Sequence, residues 1–164
     1  MSNPYAVDKL IAQARQLAAD YRRTMGKTLP GISNEIAEYD VMRLLELQPD
    51  THAESGWDAV DPETGRRVQI KSRTIFDESK SGARIGQLKM NQAWDSVVLV
   101  LMDDNYEPYE IYEALREDLA EFAEASGSGR AKRGAMSVAR FKVIGELVWD
   151  RVNGRQEGLW DNQA

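Results

Sequence analysis

The segment "SVVLVLMDD", Ser96 to Asp104, holds an unbroken apolar run from Val97 to Met102. The run is far too short to cross a bilayer, which takes roughly 20 residues as a helix. Its β-branched residues and bounding turn formers predict a buried strand. A buried strand implies a sheet with other elements packed on it, and the flanking sequence supplies them.

Tyr5 to Met25 reads as a helix, with Leu10, Ala14, Leu17, Ala18 and Tyr21 on one face and Gly26 and Pro30 marking its end. A second helix is predicted in "SNEIAEYDVMRLLELQ", with Ser33 as N-cap, Glu35 in the first turn and Pro49 as the stop. "GWDAVDPETGRRVQIKSR" reads as a hairpin, and "TIFDESKSGARIGQLKMNQ" as a loop with a short helix near Gln87–Gln92. "EPYEIYEAL" alternates as a strand and turns into a helix from about Leu115 to Ala125. "SGSGRAKRG" is a basic loop, "MSVARFKVIGELVWDR" a last apolar segment that is either helix or strand, and the remaining tail is expected to be loosely held. This order predicts one mixed β-sheet with helices packed on it, in the α/β or α+β class, built by the 164 residues as a single domain.

Composition narrows the chemistry. With no cysteine, the chain has no disulfide, thiolate metal site or thiol nucleophile, which fits a reducing cytoplasm. The opening "MSNPYAVDKL" lacks the basic-then-apolar pattern of a secretory signal, so neither export nor a membrane partner is expected. The net charge of −6 argues against nucleic acid as a partner, but the charge is uneven. Gly65 to Asp95 carries seven Lys/Arg against three acids, and Ser126 to Lys142 five against none, while Asp103 to Glu124 carries nine acids against one Arg. The hairpin therefore lies in a basic stretch. No P-loop or dinucleotide glycine pattern is present, so no nucleotide cofactor is expected.

The hairpin holds more polar chemistry than a hairpin needs. With a four-residue loop, Pro62–Gly65, Asp61 faces Arg66 and Asp58 faces Gln69. In that register Trp57, Ala59, Val68 and Ile70 point to the core, and Asp58, Gln69 and Lys71 share the opposite face. A carboxylate and an amide carbonyl ~5 Å apart at Cβ can converge on one hard cation, and Mg²⁺ needs only two or three protein oxygens. Lys71 lies one step along, where it can orient or deprotonate a water or neutralise a phosphate. Glu38 is the candidate third ligand. It shares a helix stripe with Val41, Met42 and Leu45, and a carboxylate on such a stripe needs a partner. Glu35 lies one turn earlier, but its position also suits a simple helix end.

These residues resemble the active site of the PD-(D/E)xK nuclease superfamily, the restriction-endonuclease-like fold. Its pattern is an Asp on one strand, an acid-x-Lys on the neighbouring antiparallel strand and often a Glu on the preceding helix. Asp58, Lys71 and Glu38 match these positions. Gln69 stands where the second acid is usual, a Q-x-K form familiar among homing endonucleases and small bacterial proteins. Trp57 replaces the Pro. The resemblance spans roughly Ile32 to Leu115 and leaves the first helix and the C-terminal third outside. It implies a restriction-endonuclease-like core, a bound Mg²⁺ or Mn²⁺ on Glu38, Asp58 and Gln69, and hydrolysis of DNA phosphodiesters with Lys71 at the attacking water. It also implies a homodimer for duplex cleavage. The loss of one charge at Gln69 implies weaker or single-ion binding. The alternative is a weak or inactive nuclease-like fold acting as a nucleic-acid-binding or regulatory module.

Further basic residues are candidates for phosphate contacts or, equally, solvated positions. Arg66, Arg67 and Arg73 flank the hairpin, Lys80, Arg84 and Lys89 lie in the following loop as a substrate clamp, and Arg130, Lys132 and Arg133 lie in the second basic loop. His52, the only histidine, supports no ligand cluster, and Trp57, Trp94, Trp149 and Trp160 are expected to serve packing.

Overall fold

The apolar run forms the middle strand of a seven-stranded mixed sheet. In the computed structural model, residues 4–50, 56–77, 82–86, 88–126 and 136–156 are described. They form α1 (Pro4–Met25), α2 (Ile32–Leu44), β1 (Gln48–Pro49), β2 (Ala59–Val60), β3 (Arg67–Thr74), β4 (Ser96–Met102), β5 (Pro108–Leu115), α3 (Arg116–Ser126), α4 (Val138–Ile144), β6 (Glu146–Asp150) and β7 (Gly154–Arg155). The strands lie in sequence order, all neighbours antiparallel except β3 and β4. The molecule is thus a mixed α and β structure. Among the described residues, no helix is long and apolar enough to cross a membrane.

Every residue of β4 is buried, so both faces of the sheet need a cover. Val98, Val100 and Met102 meet Val68, Ile70 and the buried sides of α1 and α2, the first layer. Val97, Leu99 and Leu101 meet Ile85, Leu88, Trp94 and the buried residues of α3 and α4, the second layer.

Helix α1 docks through small residues rather than its leucines. Ala18 and Ala19 are buried, whereas Leu10 is 61% and Leu17 54% exposed, against the predicted stripe. The reason is an ion pair. Asp40 of α2 is fully buried and takes both ends of the Arg15 guanidinium at 2.8 Å. Arg15 also donates to the Tyr106 carbonyl in the β4–β5 turn. This clamp sets which face of α1 lies down, and alanines permit the close approach.

Other boundaries depart from the sequence reading for identifiable reasons. Helix α2 starts from Gly31, whose φ of 84° turns the chain, so Ser33 lies inside the first turn instead of capping it. Pro49 does not merely stop a helix; it sits in the outermost strand, where its missing N–H costs no ladder bond. No helix forms over residues 88–92. Arg116 donates to the carbonyls of Met90, Gln92 and Trp94 and stacks 4.6 Å over the Trp94 ring, taking acceptors that a helix would use. The tail is both helix and strand, broken at Gly145, where a Cβ would fall 2.8 Å from the Glu113 carbonyl oxygen.

Removing one partner of the buried pair leaves a charge uncompensated. Arg15→Ala is expected to cost about 3 kcal/mol in urea unfolding, and Arg15→Ala combined with Asp40→Ala clearly less than the sum of the two single changes.

Candidate functional site

The β2–β3 turn has the predicted length. Asp61 N–H donates to the Arg66 carbonyl at 2.9 Å and Gly65 N–H to the Asp61 carbonyl at 2.8 Å. Ala59 pairs with Val68 and Val60 with Arg67. The Asp61 carboxylate accepts the Glu63 N–H at 2.9 Å inside the turn, which holds the loop at four residues.

Beyond Ala59 the ladder opens. Asp58 N–H reaches back to the Val68 carbonyl at 2.8 Å, and the Ile70 N–H is taken by the Asp58 carboxylate at 2.7 Å instead of by a strand carbonyl. Trp57 consequently leaves the first layer, where it was expected beside Val68 and Ile70. It packs against the second layer, 5.2 Å under the Arg67 guanidinium. Gly56 permits this departure. Its φ is 79°, and a Cβ there would lie 2.5 Å from the Gln92 side-chain oxygen.

Gln69 and Lys71 pair with Val97 and Leu99, so both project to the second-layer face. At Gln69 that face is covered, not solvated. Gln69 is 5% exposed, and its buried Oε1 has no hydrogen-bond partner. Lys71 is half-buried. Burial pushes its ammonium pKa down, Asp58 opposes this, and Lys89 and Arg73 add to it. Gly86 comes against this pair, with a Cβ position 3.8 Å from Lys71 Nζ and 4.0 Å from an Arg73 nitrogen.

Glu38 approaches from the other side. Helix α2 lies in the first layer, with the Asn34 side chain accepting from Ser72 on β3 at 3.3 Å. Glu38 is half-buried, and its pKa is pushed up to about 7 by burial, then by Asp58, then by Glu35. Among the described residues, no cation or N–H pairs with its carboxylate. The group is thus assembled across the opened edge of the hairpin: Glu38 from one layer, Gln69 and Lys71 from the other, and Asp58 in the gap, close enough to act on both Glu38 and Lys71.

The donor set fits a hard cation. Two carboxylates near each other, of which Asp58 has a cation beside it in Lys71 and Glu38 has none among the described residues, and a buried amide oxygen without a donor, are what one Mg²⁺ would satisfy. Among the described residues, no group of three or more His, Asp or Glu side chains is arranged around a metal position, so the ion would rest on two acids, one amide and water.

The basic candidates separate. Arg66 is held by Glu113 at 3.1 Å and by Asp61, and Arg67 by both oxygens of Asp95 at 3.0 Å. These two serve the fold. Arg73 donates to the carbonyls of Ser72 and Arg84, and Arg84 and Lys89 are exposed. Lys80, Arg130, Lys132 and Arg133, like His52 and Trp160, lie outside the described residues. Trp94 is buried, and Trp149 packs on the first layer. The sequence reading missed Gly56 and Gly86, the two close approaches around the site. The position of Gly56 directly before Trp57-Asp58 was the available signal.

No family model matches the chain, and no curated protein matches its sequence.

The raised Glu38 has a thermodynamic signature. A group whose pKa rises on folding contributes stability that is complete below its unfolded value, 4.5, and is lost as pH passes through about 7. In chelator, the wild type is expected to lose stability relative to Glu38→Gln between pH 5 and 8. Mg²⁺ is expected to narrow that gap, as read from urea midpoints; parallel pH profiles would show that Glu38 is simply solvated.

Proposed function

We propose that this chain is a divalent-metal-dependent nuclease that hydrolyses phosphodiester bonds in DNA. The observation that carries the reading is the buried, unpartnered Gln69 Oε1 at the strand position facing Asp58, whose carboxylate acts on both Glu38 and a lysine of lowered pKa. A structural hairpin requires none of these, and each is costly unless something is bound. The PD-(D/E)xK resemblance of Glu38, Asp58, Gln69 and Lys71 points the same way, with a restriction-endonuclease-like core as the fold it implies.

In this reading Glu38, Asp58 and Gln69 hold one Mg²⁺ or Mn²⁺. When bound, the ion polarises the phosphoryl oxygen and lowers the pKa of a coordinated water. Lys71 sits beside Asp58 and orients the attacking water. As the water oxygen bonds to phosphorus and the P–O bond to the leaving oxygen breaks, the proton released by the water passes by way of Lys71 to solvent, and the leaving oxygen takes a proton from solvent. Asp58 has a second duty: by taking the Ile70 N–H it fixes its own carboxylate against β3. Arg73, Arg84 and Lys89 are the described cations offered to the phosphates, and Lys80, Arg130, Lys132 and Arg133 remain candidates from the sequence alone. A homodimer acting on duplex DNA in the cytoplasm completes the proposal.

One observation favours a second reading, a nuclease-like module that binds nucleic acid without cutting it. One oxygen of Asp58 is already spent on the backbone, and Gln69 brings no charge. Lys71→Ala separates the two. Wild-type protein with Mg²⁺ or Mn²⁺ is expected to cut duplex, single-stranded or branched DNA, and Lys71→Ala to lower the rate at least ~100-fold. Equal background from both proteins, or no cutting on any of the three substrates, rejects the catalytic reading. A salt titration of binding then decides whether the module reading stands, because phosphate contacts give a steep slope.

A further inference from the structure

A cavity of about 390 Å³ lies apart from the Glu38–Asp58–Gln69–Lys71 group, on the same face of the sheet as Gln69 and Lys71. Its apolar wall is Ile75, Leu101 and Val138. Its polar wall is Glu110, paired with Leu101 on the second-layer face, and Lys142. The Glu110 carboxylate accepts from Lys142 Nζ at 3.4 Å and from the Tyr112 hydroxyl at 3.2 Å, which leaves acceptor capacity on both oxygens. An acceptor and a cationic donor side by side over an apolar floor suit a flat heterocycle with neighbouring donor and acceptor atoms.

The route from the proposed active site to this cavity is short and basic. Gln69, Lys71, Arg73 and Ile75 alternate onto one face, and the Ile75 N–H continues the ladder to the Met102 carbonyl at 2.8 Å. Four residues of strand place the cavity ~13 Å from Lys71. Arg73 lies between and ties the Arg84 carbonyl to β3. A phosphate backbone following these cations from Lys71 would bring a base to the cavity mouth.

We propose that this cavity is a nucleobase subsite, which seats one unstacked base of the substrate strand a few nucleotides from the scissile phosphate and prefers a base with an exocyclic amino group. The preference follows from Glu110, a carboxylate with acceptor capacity on both oxygens: an amino group such as cytosine N4 offers it two N–H donors, whereas thymine offers only its ring N3–H. The cationic Lys142 meets the adjacent ring acceptor. The inference rests on the nucleic-acid substrate of the preceding section but not on its cleavage chemistry.

The test is the affinity of the full chain, in chelator, for labelled oligodeoxycytidine and oligodeoxythymidine, pyrimidine strands that differ at the amino group. Oligodeoxycytidine is expected to bind roughly tenfold tighter. Glu110→Leu, which removes the acceptor, and Ala139→Trp, which fills the mouth from an exposed rim position, are each expected to bring the ratio to within about twofold while the chain stays folded by circular dichroism. Equal affinities in the wild type, or a ratio that neither variant changes, overturn the subsite. Competition by free cytidine without any difference between the strands assigns the cavity to a nucleoside and also overturns it. Metal-dependent cleavage of oligodeoxythymidine, run in parallel with Lys71→Ala, keeps the two readings apart. Cleavage that needs Lys71 with no base preference sinks only the subsite. A base preference that depends on Glu110, with no cleavage of this strand or of the duplex, single-stranded and branched DNA used above, leaves the subsite standing and sinks the nuclease.

Discussion

The double-sided burial of β4 constrains everything around it. A strand apolar on both faces cannot lie at a surface, so helices must cover the sheet on each side. Its parallel neighbour β3 is then enclosed too, and a glutamine on β3 that would be solvated on a one-layered sheet becomes 5% exposed. The unsatisfied amide oxygen of Gln69 is thus a consequence of the architecture. An unpaired buried amide costs on the order of 1–3 kcal/mol, which an apolar residue at that position would avoid. Such a local conflict within an otherwise consistent packing is the usual mark of a position kept for chemistry.

The opening of the hairpin at Asp58 is the second element of the site, and it depends on the first. Were β2 to continue its pairing, a strand carbonyl would occupy the place of the Asp58 carboxylate. The hydrogen bond to Ile70 keeps that N–H satisfied while the strand departs, so the opening costs little backbone bonding. It also lets a side chain from α2 reach groups on the far side of the sheet. Glu38 and Lys71 belong to opposite layers, yet both respond to the Asp58 charge.

Local features were legible in the sequence, and contacts set by docking were not. The hairpin register follows from a four-residue loop and strand alternation, both contained in eighteen consecutive residues, Gly56 to Arg73. The α+β class follows from the order of periodic segments. The buried side of α1 was missed because the Arg15–Asp40 pair, twenty-five residues apart, outweighs the apolar stripe. The absent helix before Trp94 has the same kind of origin, since Arg116 captures those carbonyls from beyond β5. Basic residues were the least legible group. Nothing local distinguishes Arg66 and Arg67, which are ion-paired to Glu113 and Asp95, from Arg84 and Lys89, which face solvent. Within the candidate group, the strand positions of Gln69 and Lys71 follow from the loop length, but the split of Glu38 from them between two layers does not, because strand alternation alone assumes that the ladder continues.

Both outermost strands, β1 and β7, are two residues long among the described residues, and one of them contains Pro49. A sheet edge is a template for another chain only when it offers a run of unpaired N–H and C=O groups. Among the described residues β1 and β7 offer little, and a longer margin is that of β3 beyond Val68, which pairs with no strand on that side and has its Ile70 N–H held by the Asp58 carboxylate. Any strand added along that margin of β3 would therefore have to displace the Asp58 carboxylate from the Ile70 N–H, which ties the hairpin opening to the sheet edge.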